Sequence, residues 1–281
     1  MRVCNDSDTA LDAVDFAAYH RPELERDEVK YNVILGILER VAKEKPAGLL
    51  CWTLGDPGAC ALKTPGNWAI VLGDLNQAQC RALADHTTEL DYPGVVGPGL
   101  TAEWFVQRAR ACGLEFAEPI AQQIHTLRDP PRYPGASGHA RAVTADDAGL
   151  FADWLTAFVR EATPRDPVPP REQLERTAGE GRYLFWIDKG RPVSIAGIVR
   201  RLRTCAAIAG VYTPPGLRGR GYAGSVTAAV VEQIYAEGRA TACLYTDLSN
   251  PFSNRCYAKI GFRPAYSSLH FHRQMQAAEQ A

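Results

Sequence analysis

At 281 residues the chain is long enough for one large domain or two ordinary ones. Its 31 Lys and Arg against 32 Asp and Glu leave a formal net charge of -1, so bulk attraction to nucleic acid or to an anionic membrane is not supported. A 46% hydrophobic share without any membrane-length apolar run describes a globular protein, and eight scattered cysteines with no C-x-x-C pair favour buried thiols over disulfides or a metal site.

The start, Met1 to Asp8, has no hydrophobic signal core, so the expected address is the cytoplasm. Leu11, Val14, Phe16 and Tyr19 suggest a short strand or helix docking at an edge. Tyr31, Ile34, Leu35, Leu38 and Val41 recur at helical spacing and predict a helix over 27–44. Leu49–Leu54, Ala59–Lys63 and Trp68–Leu72 read as strands separated by Gly/Pro/Asp turns, and Gln77 to Leu90 as a helix. Val95 to Gly99 reads as a turn feeding a helix from Thr101 to Cys112, and Phe116 to Leu127 as a long strand. Residues 128–138 are rich in proline and glycine and lack periodicity, which makes them the expected linker between a domain at 1–130 and another at 139–281.

Past the linker, a strand at Ala140–Val143 precedes a helix carrying Phe151, Trp154, Leu155, Phe158 and Val159. A proline-rich break and a short helix lead to strands at Tyr183–Ile187 and Val193–Arg201, with Arg200, Arg201 and Arg203 read as a solvated hairpin tip. Cys205 to Tyr212 is an apolar run of small and β-branched residues, hence a buried strand, stopped by Pro214, Pro215 and Gly216. From Ala223 the pattern turns helical, with Val226, Val230 and Ile234 four apart. A strand at Thr241–Thr246, a helix opening at Pro251 and a strand at Arg263–His272 complete the chain. His270 and His272 alternate and so share one strand face, without a third ligand for a metal.

The turn between Tyr212 and Ala223 carries the chemistry. The first N–H groups of a helix lack intrahelical partners and sit at the positive end of its dipole. Gly219 and Gly221 let a ligand reach the backbone, while Arg218 and Arg220 supply charged donors suited to phosphate oxygens. The turn is a pyrophosphate cradle by this chemistry, yet it is neither a Walker loop nor the G-x-G-x-x-G dinucleotide fingerprint.

Arg218-x-x-Gly221-x-Ala223, after a strand and opening a helix, resembles the acetyl-CoA signature of the GNAT superfamily of N-acetyltransferases. A second block, Asn250 to Phe262 with its Tyr257-x-x-x-Gly261-Phe262 ending, is similar to that family's second cofactor block. The resemblance implies an α+β fold: a mixed, mostly antiparallel sheet flanked by helices. For the first half, two readings stay open, a degenerate GNAT-like domain or an unrelated α+β domain shaping the cleft. The nearest counterpart of the cradle there is Gly97-Pro98-Gly99-Leu100-Thr101, which offers no arginine.

What the resemblance implies for function is an acetyl-CoA-dependent N-acetyltransferase passing the acetyl group directly to an amine of an unidentified small-molecule or peptide acceptor. Rival readings are a non-catalytic acyl-CoA sensor and an acyltransferase using another acyl-CoA donor. Backbone groups of Val211 and Thr213 are expected on the pantetheine arm. Arg218, Gly219, Arg220, Gly221, Tyr222 and Ala223 are expected around the pyrophosphate, with Asn250 and Asn254 from the second block. Asn250 before Pro251 also reads as a helix N-cap, and Gly261 as a C-cap. Tyr257 aligns with the family's general acid for the leaving thiolate. For the base, Glu161 near the apolar face of its helix is the leading candidate, either lining the cleft or pairing with an arginine such as Arg165; Asp247 reads more simply as a turn residue.

Overall fold

The computed structural model describes residues 2–4, 9–44, 48–66 and 68–274. Most of the stretch Met1 to Asp8 therefore lies outside the described residues. The chain forms two compact units, Met1–Gln123 with Tyr266–Ala281, and Ile124–Ala265. The division differs from the expected linker boundary. Residues 128–138 belong wholly to the second unit, and the chain's last strand ends in the first.

The first unit runs β1 (Arg2–Cys4), α1 (Thr9–Leu24), α2 (Asn32–Glu44), β2 (Leu50–Thr53), β3 (Cys60–Lys63), β4 (Ile70–Leu72), α3 (Gln77–His86), β5 (Gly94–Pro98) and α4 (Gly99–Ala111). The strands β1 to β4 pair antiparallel in sequence order, and β5 joins β4 in parallel. Val95 to Gly99, expected as a turn, is thus mostly strand. Gly97 explains the difference, because a Cβ there would stand 2.8 Å from the Leu72 Cβ, so only glycine lets the two strands close. One core sits under α3 and α4, around Trp52, Ile70, Leu83, Val95 and Phe105. Ile34, Leu35, Leu38 and Val41 bury the predicted face of α2.

The chain continues through β6 (Ile120–Leu127) to the second unit: β7 (His139–Ala142), α5 (Ala148–Ala162), α6 (Arg171–Thr177), β8 (Tyr183–Asp188), β9 (Arg191–Arg201), β10 (Cys205–Tyr212), α7 (Tyr222–Ala236), β11 (Thr241–Asp247), α8 (Pro251–Ile260) and β12 (Arg263–His272). Its sheet has the order β7-β8-β9-β10-β11-β6. Here β7 to β10 pair antiparallel in sequence order, and β11 joins β10 in parallel. Both units therefore repeat one order: strand, two helices, three antiparallel strands, helix, parallel strand, helix, strand. The first half thus has the same order of elements as the second.

The last strand of each half is completed elsewhere. Ile124–Leu127 of β6 counts with the second unit, and Ser268–His272 of β12 pairs with β5 in the first. In the second unit α7 is buried on nearly all sides from Gly224 to Val231, which suits its run of Gly, Ala, Val and Thr. It packs on Ala196, Ile198, Ala206, Ile208 and Leu244. Phe151, Leu155 and Leu174 of α5 and α6 cover the other face at Phe185 and Ile195. Cys51, Cys60, Cys80, Cys205 and Cys243 are buried and not joined in disulfides. Among the described residues no helix is long and apolar enough to cross a membrane.

Candidate active site

Two irregularities in the second sheet create the site. The first is a β-bulge. The ladder steps from Ala209 opposite Gly197 to Tyr212 opposite Ile195, so β10 carries one more residue than β9. Gly210 takes φ +65° there, a conformation that favours glycine. The second is a splay. The parallel ladder of β10 and β11 runs only from Cys205/Thr241 to Ile208/Leu244, although both strands continue past it. Beyond that point the β10 edge at Ala209–Val211 is no longer laddered to β11, which leaves backbone groups there for another partner.

The cradle follows directly. After β10, Pro215–Leu217 makes one 3₁₀ turn, and Gly219 and Gly221 take φ +79° and +82°. No side chain caps the N-terminus of α7. Its first N–H groups stay available, and a Cβ on Gly219 would meet nothing within 4 Å. Arg218 reaches back. Its Nε donates to the Thr213 carbonyl at 2.9 Å and its Nη2 to Glu161 Oε2 at 2.7 Å, while its guanidinium lies 5.8 Å from the centre of the Tyr212 ring. The hydrogen bond to Glu161 is the main reason its pKa is raised. Arg220 Nη2 donates at 3.5 Å to Gly216 O.

The structure thus joins two predicted site residues, since the partner of Glu161 is Arg218 and not Arg165. Glu161 is exposed, and in this arrangement its carboxylate accepts from a guanidinium. Thr213 is buried, its hydroxyl 2.8 Å from Ser194 Oγ, which also donates to the Tyr212 carbonyl at 3.0 Å. Ser194 escaped the sequence reading, although a serine inside the apolar run Val193–Ile198 is itself a sign of a buried polar contact. Val211 is partly buried against the main core of the unit. Tyr222 donates its hydroxyl to Asp188 Oδ2 at 2.7 Å, and Ala223 follows it in the first turn of α7.

In the second block Asn250 is the helix cap its position suggests. Its Oδ1 accepts from the N–H groups of Phe252 and Ser253 at 3.1 and 3.2 Å. Gly261 closes α8 with φ +118°. Asp247 is a turn residue, accepting from Ser249 N at 2.7 Å. Asn254 is different. Its Nδ2 donates to the carbonyls of Asp247 and Leu248 at 3.2 and 3.3 Å, while its Oδ1 is buried without a hydrogen-bond partner. Tyr257 is buried against Phe262, ring centres 6.0 Å apart. Burial pushes the pKa of its phenol well above the ordinary value, so it keeps its proton at neutral pH. Cys256 points to a different neighbour, its Sγ 3.5 Å from where a Gly224 Cβ would stand on α7.

His125 of β6, unremarked in the sequence, is buried with Nε2 3.1 Å from Thr246 Oγ1 and Nδ1 unpartnered. Arg201, expected at a solvated tip, is instead held by Glu237 at 2.9 Å and by the Gly181 carbonyl.

The first unit lacks this apparatus. In the repeated order, the counterpart of the cradle is Gly73–Asn76 before α3, not Gly97–Thr101, which stands at the β5–α4 junction. There the helix caps itself, Asn76 Oδ1 accepting from Gln79 N at 2.9 Å and Gln79 Oε1 from Asn76 N at 2.8 Å. Asp74, ion-paired with Lys30, puts a carboxylate in the loop.

Residues 187–270 match the family model described as FR47-like protein. No curated protein matches the chain in sequence. Among solved structures the chain is similar to a GCN5-related N-acetyltransferase from Kribbella flavida, at 15% identity over 88% of this chain and 96% of that one, with a TM-score of 0.60. It is similar also to an acetyltransferase from the GNAT family from Colwellia psychrerythraea, at 12% identity over 98% and 100% of the two chains, with a TM-score of 0.58. A tandem GNAT protein from the clavulanic acid biosynthesis pathway matches at 14% identity over 97% and 98%, with a TM-score of 0.55.

Proposed function

Since the chain has the fold of the GNAT acyltransferases in both halves, we propose that its second unit is an acetyl-CoA-dependent N-acetyltransferase acting by direct transfer to an amine. The observation that carries this reading is the splay of β10 and β11 opening onto an uncapped helix N-terminus. The residues fit the group. Gly219 clears the backbone, and Asn254 Oδ1 is a buried acceptor lacking a donor, an unmet group costing about 1–3 kcal/mol that an amide N–H of a pantetheine arm would satisfy.

Acetyl-CoA supplies the activated thioester. The backbone of Val211, with the N–H of Thr213, would orient it as an added strand would. The α7 N-terminus with Arg218 and Arg220 binds the pyrophosphate. An exposed pair such as Arg218–Glu161 is worth ~0.2–1 kcal/mol. With so little holding the pair, Arg218 could exchange Glu161 for a phosphate oxygen when the cofactor is bound. Tyr257, protonated at neutral pH as tyrosines ordinarily are, would give its proton to the leaving thiolate. Released from Arg218, Glu161 is free to take a proton from the amine.

Titration calorimetry with acetyl-CoA, against desulfo-CoA and NAD, tests the reading. Micromolar, CoA-selective binding followed by amine-dependent thiol release supports it. Binding without turnover on any amine leaves a sensor, and no binding refutes the cradle. A panel of acyl-CoA donors separates acetyl from longer chains, since the cradle touches only the shared part.

A further inference from the structure

We propose that residues 132–137 are a strap that positions the N-terminus of α7 and thereby form part of the acyl-CoA site, an inference that rests on the reading just given. Composition makes this segment a free spacer, yet it is fastened along the helix. Tyr133 donates its hydroxyl to Glu232 Oε2 at 2.6 Å, and its ring centre lies 6.3 Å from that of Trp186. Trp186 Nε1 donates to the Ser137 carbonyl at 2.8 Å. Ser137 Oγ donates to Asp188 Oδ1 at 2.8 Å, and the other oxygen of the same carboxylate accepts from the Tyr222 hydroxyl at 2.7 Å. Asp188 therefore ties the end of the strap to the first residue of α7. At its start, Arg132 N donates to the Ile260 carbonyl at 2.9 Å.

Steric fit says the same. A Cβ on Gly224 would lie 2.5 Å from Pro134 Cγ, and one on Gly221 would lie 3.4 Å from Pro134 Cβ and 3.5 Å from Ala136 Cβ. Glycine inside a helix is ordinarily worse than alanine. At Gly224 the missing side chain is the room in which the strap lies. An uncapped helix end frays unless something holds it, and donors that fray are not preorganised for a ligand. The strap spans the turns from Gly221 to Glu232 and supplies that restraint.

The test is Gly224→Ala, which pushes on Pro134 without touching a group that faces the cofactor. The expected result is a rise of about tenfold in the Kd and KM for acetyl-CoA, with kcat and acceptor KM little changed. Adding Pro134→Ala, which removes the colliding Cγ, should restore both values. By linkage, acetyl-CoA should slow tryptic cleavage after the exposed Arg132. Should Gly224→Ala fail to fold, the pair Tyr133→Phe with Ser137→Ala removes two fastenings without adding bulk, and the same loss of affinity is expected. Unchanged affinity in these variants, beside a wild-type protein that binds, overturns the strap and leaves it as packing. A wild-type protein that does not bind acetyl-CoA overturns the underlying reading itself.

Discussion

Tyr257 and Glu161 carry opposite expectations at the level of single side chains. Tyr257→Phe keeps the packing on Phe262 and removes only the proton, so kcat should fall by about 10²–10⁴ with acetyl-CoA affinity unchanged, which steady-state kinetics beside calorimetry would read. Glu161→Gln releases Arg218 from its carboxylate, so affinity for acetyl-CoA should hold or rise while kcat falls. A fall in affinity would mean that Glu161 orients Arg218 in the bound state too. The pair joins residues 57 apart in sequence, which is why periodicity and spacing placed each residue correctly and missed their contact. His20 makes a pH argument. Its Nδ1 accepts from Gly58 N at 3.0 Å and its Nε2 meets Thr53 Oγ1 at 2.9 Å, and burial lowers its pKa to about 4. Between pH 4 and 6.5 the unfolded chain binds the extra proton, so stability rises with pH through that window and is lost on acidification, by about 3 kcal/mol in full. Urea midpoints measured across the window should show that slope, and His20→Gln should flatten it.

Among the elements, the contrast between α7 and α3 decides how many cofactors bind. One helix begins uncapped behind a nine-residue loop with two left-handed glycines; the other begins with a closed capping box and a carboxylate in a short loop. Calorimetry should accordingly give one acetyl-CoA per chain, and Arg218→Ala with Gly221→Asp should abolish it while the circular dichroism stays native. A second site surviving in that variant would contradict this account of the first unit. The cradle was legible because a helix start, its glycines and its arginines are all local in sequence. Its counterpart in the first half was misplaced because Gly97-Pro98-Gly99 has the composition of a turn, whereas its glycine answers to Leu72 on the neighbouring strand. Residues 128–138 were misread for a similar reason. Proline and glycine report that a segment is neither helix nor strand, and say nothing of what it lies against.

For the molecule as a whole, the order of elements was readable and the membership of the units was not, since the periodicity of a strand does not name its partner. A fragment beginning at residue 139 would lack Leu127 of the main core, His125 and the strap, and would keep a β12 without β5. It should be insoluble or fail to bind acetyl-CoA, as light scattering and calorimetry would show, whereas the full chain should bind. The completion of the first unit by β12 also has a bearing on synthesis. A nascent chain emerges at about 5–20 residues per second, and domains commonly fold as they leave the ribosome, N-terminal first. Here the first unit waits for Ser268–His272, which are translated after every helix of the second unit. Folding of the first unit is thereby deferred until the second has been made, and a chain cut short before β12 would expose the unpaired edge of β5 to chaperones and proteases rather than yield a working half.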